Sequence, residues 1–194
     1  MSSGALSERD QEDVARLAQR VEALPQLSAD EVTSLLAGVR AQEASLGLER
    51  LVENYLGIAL AAARERRDRG LEVDDLFQEG TLAIVAAVSE YAARGEPAAG
   101  LPEFLTRVVS AHLEATVEAA EIERRADEAF VRDARLYEVA EVGLRSRLGR
   151  DATATEIAGV LEWPTDRVEL MAGTLAAARR LEDADLAQYV EPEE

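Results

Sequence analysis

The chain has 194 residues, with 39 acids against 21 bases for a net charge of −18, and every base is an arginine. That length builds one domain or two small ones. The lack of cysteine excludes a disulfide scaffold and a thiolate metal site, the single histidine (His112) excludes a His-rich one, and no apolar run approaches the roughly 20 residues of a membrane span.

The opening MSSGALSERD has no signal-peptide core, so a cytoplasmic protein without membrane contact is expected. Nucleic-acid binders carry a basic face because neutralised phosphates and released counterions supply most of their affinity. A chain this acidic starts with a penalty against DNA and suits a basic protein surface instead.

Sustained alternation and β-branched runs are absent, whereas helical periodicity recurs along the chain, which predicts an all-α fold. Ser7 with Asp10 resembles a capping box, and Val14, Leu17, Val21 and Leu24 fall on one face before Pro25. Ser28 with Glu31 is a cleaner box, followed by Val32, Leu35, Leu36 and Val39. A long third helix is expected through LERLVENYLGIALAAARERRDRG, with Gly70 as its left-handed cap. The fourth helix lies in VDDLFQEGTLAIVAAV, residues 73–88, with Asp75 as cap and Gln78 reaching back to it. Gly95, Pro97 and Gly100 break the chain, and Pro102 suits the first turn of a fifth helix carrying Phe104, Leu105, Val108, Val109 and Leu113. The charged EIERRADEA either continues that helix or links it onward. From about Phe130 a second unit follows: a helix, a Thr153–Glu156 box opening the next, and LEWPTDRV as the turn of a helix-turn-helix in which Trp163 packs. The organisation is therefore an N-terminal helix over residues 1–26, a helical domain over 27–122, a helix-turn-helix domain over 123–180 and an acidic tail over 181–194.

Helical geometry divides residues 73–88 into three sides. Leu76, Gly80, Ala83 and Ala87 are mostly small and admit a close neighbour; Phe77, Ile84, Val88 and Tyr91 form a core stripe. The third side, Asp75, Gln78, Glu79, Leu82 and Val85, is polar for one turn and then apolar. Two readings stand. In one, the polar residues cap and complement the positive helix end while Leu82 and Val85 pack inside. In the other, the side is a partner surface, with a charged end that selects and an apolar end that holds.

DLFQEGTLAIVAAVSEYA resembles the core-binding segment of bacterial RNA polymerase sigma factors, in which Asp-Leu-apolar-Gln-Glu-Gly precedes an amphipathic run. LSADEVTSLLAGVRA and the third helix are similar to the segments that precede it in that family, and LRSRLGRDATATEIAGVLEWPTDRVELM is similar to its region three. The resemblance spans roughly residues 27 to 178. It implies a region-two-like helical domain followed by a small trihelical, helix-turn-helix region-three-like domain. It also implies docking on the clamp helices of the polymerase largest subunit through Asp75, Gln78, Glu79, Thr81 and Val85.

The departures from the family pattern bear on DNA. Sigma factors trap flipped promoter bases on aromatics, including a tryptophan pair, because stacking holds unpaired bases. Here Arg107 and Val108 stand in place of that pair, leaving Tyr91, Phe104 and Arg107 as the DNA-contacting candidates. Glu103, Glu114, Glu118 and Glu121 surround them and are expected to repel phosphate. The family's terminal helix-turn-helix finds no place after residue 180, so a second protein supplying it is one expectation. Promoter DNA is expected to bind only weakly or within the holoenzyme. No nucleophile–base pair, phosphate loop or metal-ligand spacing occurs, so neither enzyme activity nor a cofactor or metal is expected. Three functions stand: a sigma-like core-binding protein with weakened promoter recognition and melting (a regulator, a decoy or part of a split factor), a working divergent sigma factor, and an acidic helical adaptor for another protein.

Overall fold

The computed structural model describes residues 8–41 and 45–187, and among these there are helices and no strand. Seven α-helices follow one another: α1 (Glu8–Glu22), α2 (Ala29–Arg40), α3 (Ser45–Glu65), α4 (Val73–Arg94), α5 (Leu101–Leu148), α6 (Ala154–Leu161) and α7 (Thr165–Ala187), with a short 3-10 turn at Ala98–Gly100 before α5. The chain divides into two compact units, residues 1–123 and 124–194. The charged EIERRADEA continues the fifth helix, so α5 is one element of 48 residues.

In the first unit α4 is the central element. Its Leu76, Gly80, Ala83, Ile84, Ala87, Val88, Tyr91 and Ala92 are buried. They meet Leu51, Val52, Ala59, Ala62 and Ala63 of α3 and Leu101, Phe104, Leu105, Val109, Leu113 and Val117 of α5 in one core. The small residues set the spacing. A Cβ placed on Gly80 would lie 3.0 Å from the Ala59 Cβ and 3.3 Å from its Cα, and 3.5 Å from Val109. Phe77 is half-buried and packs with Leu17, Ala18, Val21 and Leu60, which seats α1.

Local sequence signals explain the ends that hydrogen bonds fix. At α2 the Ser28 amide donates to Glu31 Oε2 (2.8 Å) and the Glu31 amide to Ser28 Oγ (3.3 Å), as the capping box requires. These bonds from Ser28 hold the Glu31 carboxyl below its ordinary range. The first expected box falls partly outside the described residues, since Ser7 is not among them. α3 ends at Glu65, five residues before Gly70, whose φ of +90° serves the turn that follows and not the helix end. The Arg66 side chain accounts for the early stop. Its guanidinium donates to the Ala62 carbonyl (3.0 Å) and to the Ser110 carbonyl (3.1 Å) and hydroxyl (2.8 Å), which anchors the end of α3 to α5.

In the second unit Tyr137, Ala140 and Leu144 of α5 pack on Ile157 and Ala158 of α6 and on Val168 and Met171 of α7. The Thr153–Glu156 box opens α6 as its sequence predicts. The turn into α7 holds Glu162 in the left-handed region (φ 55°), and Trp163 is half-buried beneath the Arg167 guanidinium, 4.1 Å from the ring centre. Trp163 thus packs the turn, as expected.

Two predictions follow from this packing. Gly80→Val drives a branched side chain into Ala59 and is expected to cost about 1–3 kcal/mol, whereas Gly57→Ala on the open side of α3, where a Cβ meets nothing within 4 Å, gains about 0.5–1 kcal/mol of helix propensity. Urea unfolding of the two variants, followed by helicity, measures both signs. The second concerns acid. Hydrogen bonds from Arg150 and then Thr153 hold the Glu156 carboxyl at about 2, against an ordinary 4.5. A depressed carboxyl contributes stability that is present above its unfolded value and lost as pH falls through the folded one. The second unit should therefore weaken between pH 4.5 and about 2, and Glu156→Gln should remove that part of the pH dependence in an acid titration.

Candidate functional site

α4 starts at Val73, two residues before the expected cap. Glu72 occupies the cap position and makes no side-chain cap bond, and Asp74 and Asp75 lie in the first turn. Asp75 and Gln78 are therefore not consumed by capping. Both are exposed, and the acids of this turn sit where the positive end of the helix dipole favours them.

The side of α4 turned away from the core carries Asp75, Gln78, Leu82, Ala86 and Ser89 in sequence, each exposed. Leu82 is 62 % exposed, so it does not pack inside. The capping-and-packing reading of this side thus holds in part: the cap is Glu72 and Leu82 is outside, while the acids of the first turn complement the helix end and Val85 packs inward. Glu79 lies along one edge, where its Oε2 is 3.0 Å from His112 Nε2 of α5. Both side chains are close to half exposed, so the contact orients the carboxylate without removing it from solvent. Thr81 and Val85 are half-buried along the opposite edge. The Thr81 hydroxyl donates back to the Phe77 carbonyl (2.8 Å), and Val85 packs against the main core. Of the five residues proposed from the sequence for docking, Asp75 and Gln78 thus share the outward strip, and Glu79, Thr81 and Val85 border it. Leu82, which helical geometry puts on this side, is absent from the five residues that the family resemblance implies. Its spacing, seven after Asp75 and four after Gln78, places it at the middle of the strip.

The three DNA candidates lie elsewhere. Tyr91 is 5 % and Phe104 8 % exposed, with ring centres 5.1 Å apart at 48°. The Tyr91 hydroxyl donates to the Pro97 carbonyl (2.7 Å), and burial pushes its ionisation upward. The Phe104 ring is approached by the Arg94 and Arg107 guanidinium carbons at 5.3 and 5.7 Å from its centre. Both are core side chains, Tyr91 against Phe104 and Phe104 under two arginines, so neither offers an open ring for a base. The acids expected to repel phosphate are in part already engaged. Glu114 pairs with Arg66 (3.3 Å) and Arg69 (3.2 Å), and Glu121 with Arg69 (2.9 Å). In the second unit Arg167 pairs with Asp133, and Arg179 with Glu138, which takes charge away from the outer face of α7.

Among the described residues no three His, Asp or Glu side chains gather as a metal site, and no helix is long and apolar enough to cross a membrane. Comparison with known protein families and with curated proteins finds no match to this chain.

The outward strip predicts its own stability profile. Leu82→Ser is expected to change folding stability by less than about 0.5 kcal/mol, because the side chain is already in water. Ile84→Ala, two residues along and fully buried, should cost about 2–5 kcal/mol. Thermal unfolding of the two variants checks the contrast.

Proposed function

We propose that the first unit is a docking module for the core of bacterial RNA polymerase, and that the chain is a sigma-like binding protein, not an enzyme, with weakened promoter recognition and melting. The observation that carries this reading is the outward strip of α4: an acidic first turn that caps nothing, followed by an exposed Leu82, on the segment whose DLFQEG sequence resembles the sigma core-binding helix. Carboxylates of Asp75 and Glu79 meet basic side chains of the polymerase clamp helices, and Leu82 and Val85 give the contact its apolar end. Charge complementarity sets partner choice and speeds encounter, and burial of the leucine slows release.

Weak melting is supported by Tyr91 and Phe104. Base–aromatic stacking is worth about 1–3 kcal/mol per base, and unstacking the duplex costs a few kcal/mol. Rings locked against each other contribute little of that stacking, and Arg107 leans over Phe104. Promoter DNA then engages only weakly, or within a complex to which a second protein adds the missing contacts.

Glu79→Arg places like charge at the clamp contact and is expected to weaken binding to core polymerase by about tenfold, close to 1.4 kcal/mol, with helicity unchanged and with the wild-type affinity falling as salt rises. Interferometry with purified core polymerase measures it. Unchanged affinity in the variant removes α4 as the dock. In run-off transcription, core polymerase plus this chain alone should give little promoter-specific product, and the chain should lower the output of a competent sigma factor that uses the same clamp.

A further inference from the structure

The second unit holds a helix that is apolar on two sides. Toward α6 and α7, α5 presents Tyr137, Ala140 and Leu144, all buried. On the opposite side it presents Val131, Leu136, Val139 and Val142, which are 47, 47, 73 and 60 % exposed. A contiguous apolar patch rimmed by charged residues marks a surface suited to a partner. The outer face forms an open groove bordered by Arg124, Asp127, Glu128, Arg132 and Arg135. On that face Arg124 pairs with Glu128 (2.7 Å) one turn of helix away, both side chains exposed.

We propose that this face pairs with its own copy, two α5 helices crossing antiparallel about a twofold axis next to Val131. The charge pattern argues for this occupant. In an isologous contact each residue i that meets j is repeated as j meeting i. With Glu128 set opposite Arg135 of the second copy, Arg135 meets Glu128 in return, so one register yields two ion pairs. The same register lays Val139 along the aliphatic stem of Arg124 and sets Val131 beside the axis, with Arg132 one turn from the opposing Glu128. The sequence thus supplies both members of the pair from one face. It does so with arginine, whose long stem covers apolar surface while its head reaches a carboxylate. The chain as a whole is strongly acidic, so two copies repel in most orientations; this face, with three arginines against two acids, departs most from that net charge and is where the repulsion is least. The pairing uses residues of the second unit alone and is independent of the polymerase reading.

Sedimentation of the full chain over a range of concentrations tests it. A monomer–dimer equilibrium is expected, and Val139→Asp should raise the dimer dissociation constant by about tenfold or more, with helicity retained. Glu128→Arg and Arg135→Glu should each weaken the dimer by about tenfold, and the double variant should recover most of the loss, because swapping both charges restores both pairs. The chain has no cysteine, so Val131→Cys places a single thiol beside the axis; it should oxidise to a linked dimer, and Thr174→Cys on α7 should not. A chain that stays monomeric at every concentration overturns the proposal. So does a dimer that Val139→Asp leaves intact. If the chain is monomeric and Val139→Asp instead lowers polymerase binding, the face belongs to a different protein.

Discussion

The first unit depends on how closely α3 and α4 approach at Gly80 and Ala59. With 3.0 Å between the Ala59 Cβ and the place a Gly80 Cβ would take, the two helices lie nearly backbone to backbone. That closeness fixes the rotation of α4 about its own axis. The small side faces α3, the stripe of Ile84, Val88 and Tyr91 turns into the core, and Asp75, Gln78 and Leu82 are left facing outward. A larger residue at position 80 would move or turn the helix, and the strip would lose its register. The exposure of Leu82 is therefore a consequence of packing on the far side of the same helix.

Arginine does the fastening that a larger aromatic core would otherwise supply. Arg40 donates to the Ala92 carbonyl (2.8 Å) and joins the ends of α2 and α4. Arg66 and Arg69 bind the close of α3 to Ser110, Glu114 and Glu121 of α5. In the second unit Arg150 holds Glu156 while Arg167 and Arg179 hold α5 to α7. Exposed pairs of this kind are individually worth little, but Arg66 is largely buried and each of its donors ends on an oxygen. Each of these arginines engages an acid or a carbonyl of the chain itself, and the excess of 39 acids over 21 bases remains as the net charge of −18.

Much of this was legible in the sequence where the determinant is local. Both capping boxes need only four consecutive residues, and the small and apolar sides of α4 need only its period. What escaped depends on residues distant in the chain. Asp75 has the chemistry of a cap, but the helix begins two residues earlier, and nothing within its own turn reveals that. Gly70 reads as a helix end until Arg66, anchored on residues more than forty positions later, stops α3 at Glu65. Tyr91 and Phe104 look like a sparse platform for bases, because a sequence shows that aromatics are few and not which way they turn. Glu114 and Glu121 count as free negative charge until their arginines are located.

Tyr91 also links the two halves of the functional argument, because it stands on α4 itself, four turns beyond the acidic end. Any rotation of α4 that opened the Tyr91 ring toward solvent would carry Asp75 and Leu82 toward the core, since all three share one rigid helix. Moving Tyr91 alone would strip its hydroxyl of the Pro97 carbonyl and its ring of Phe104, exposing buried surface at both. Presenting the outward strip and presenting that ring are thus alternatives for this helix as packed, and the close approach at Gly80 selects the strip. The same packing that buries Tyr91 and Phe104 therefore leaves Asp75, Gln78 and Leu82 as the surface that α4 offers to solvent.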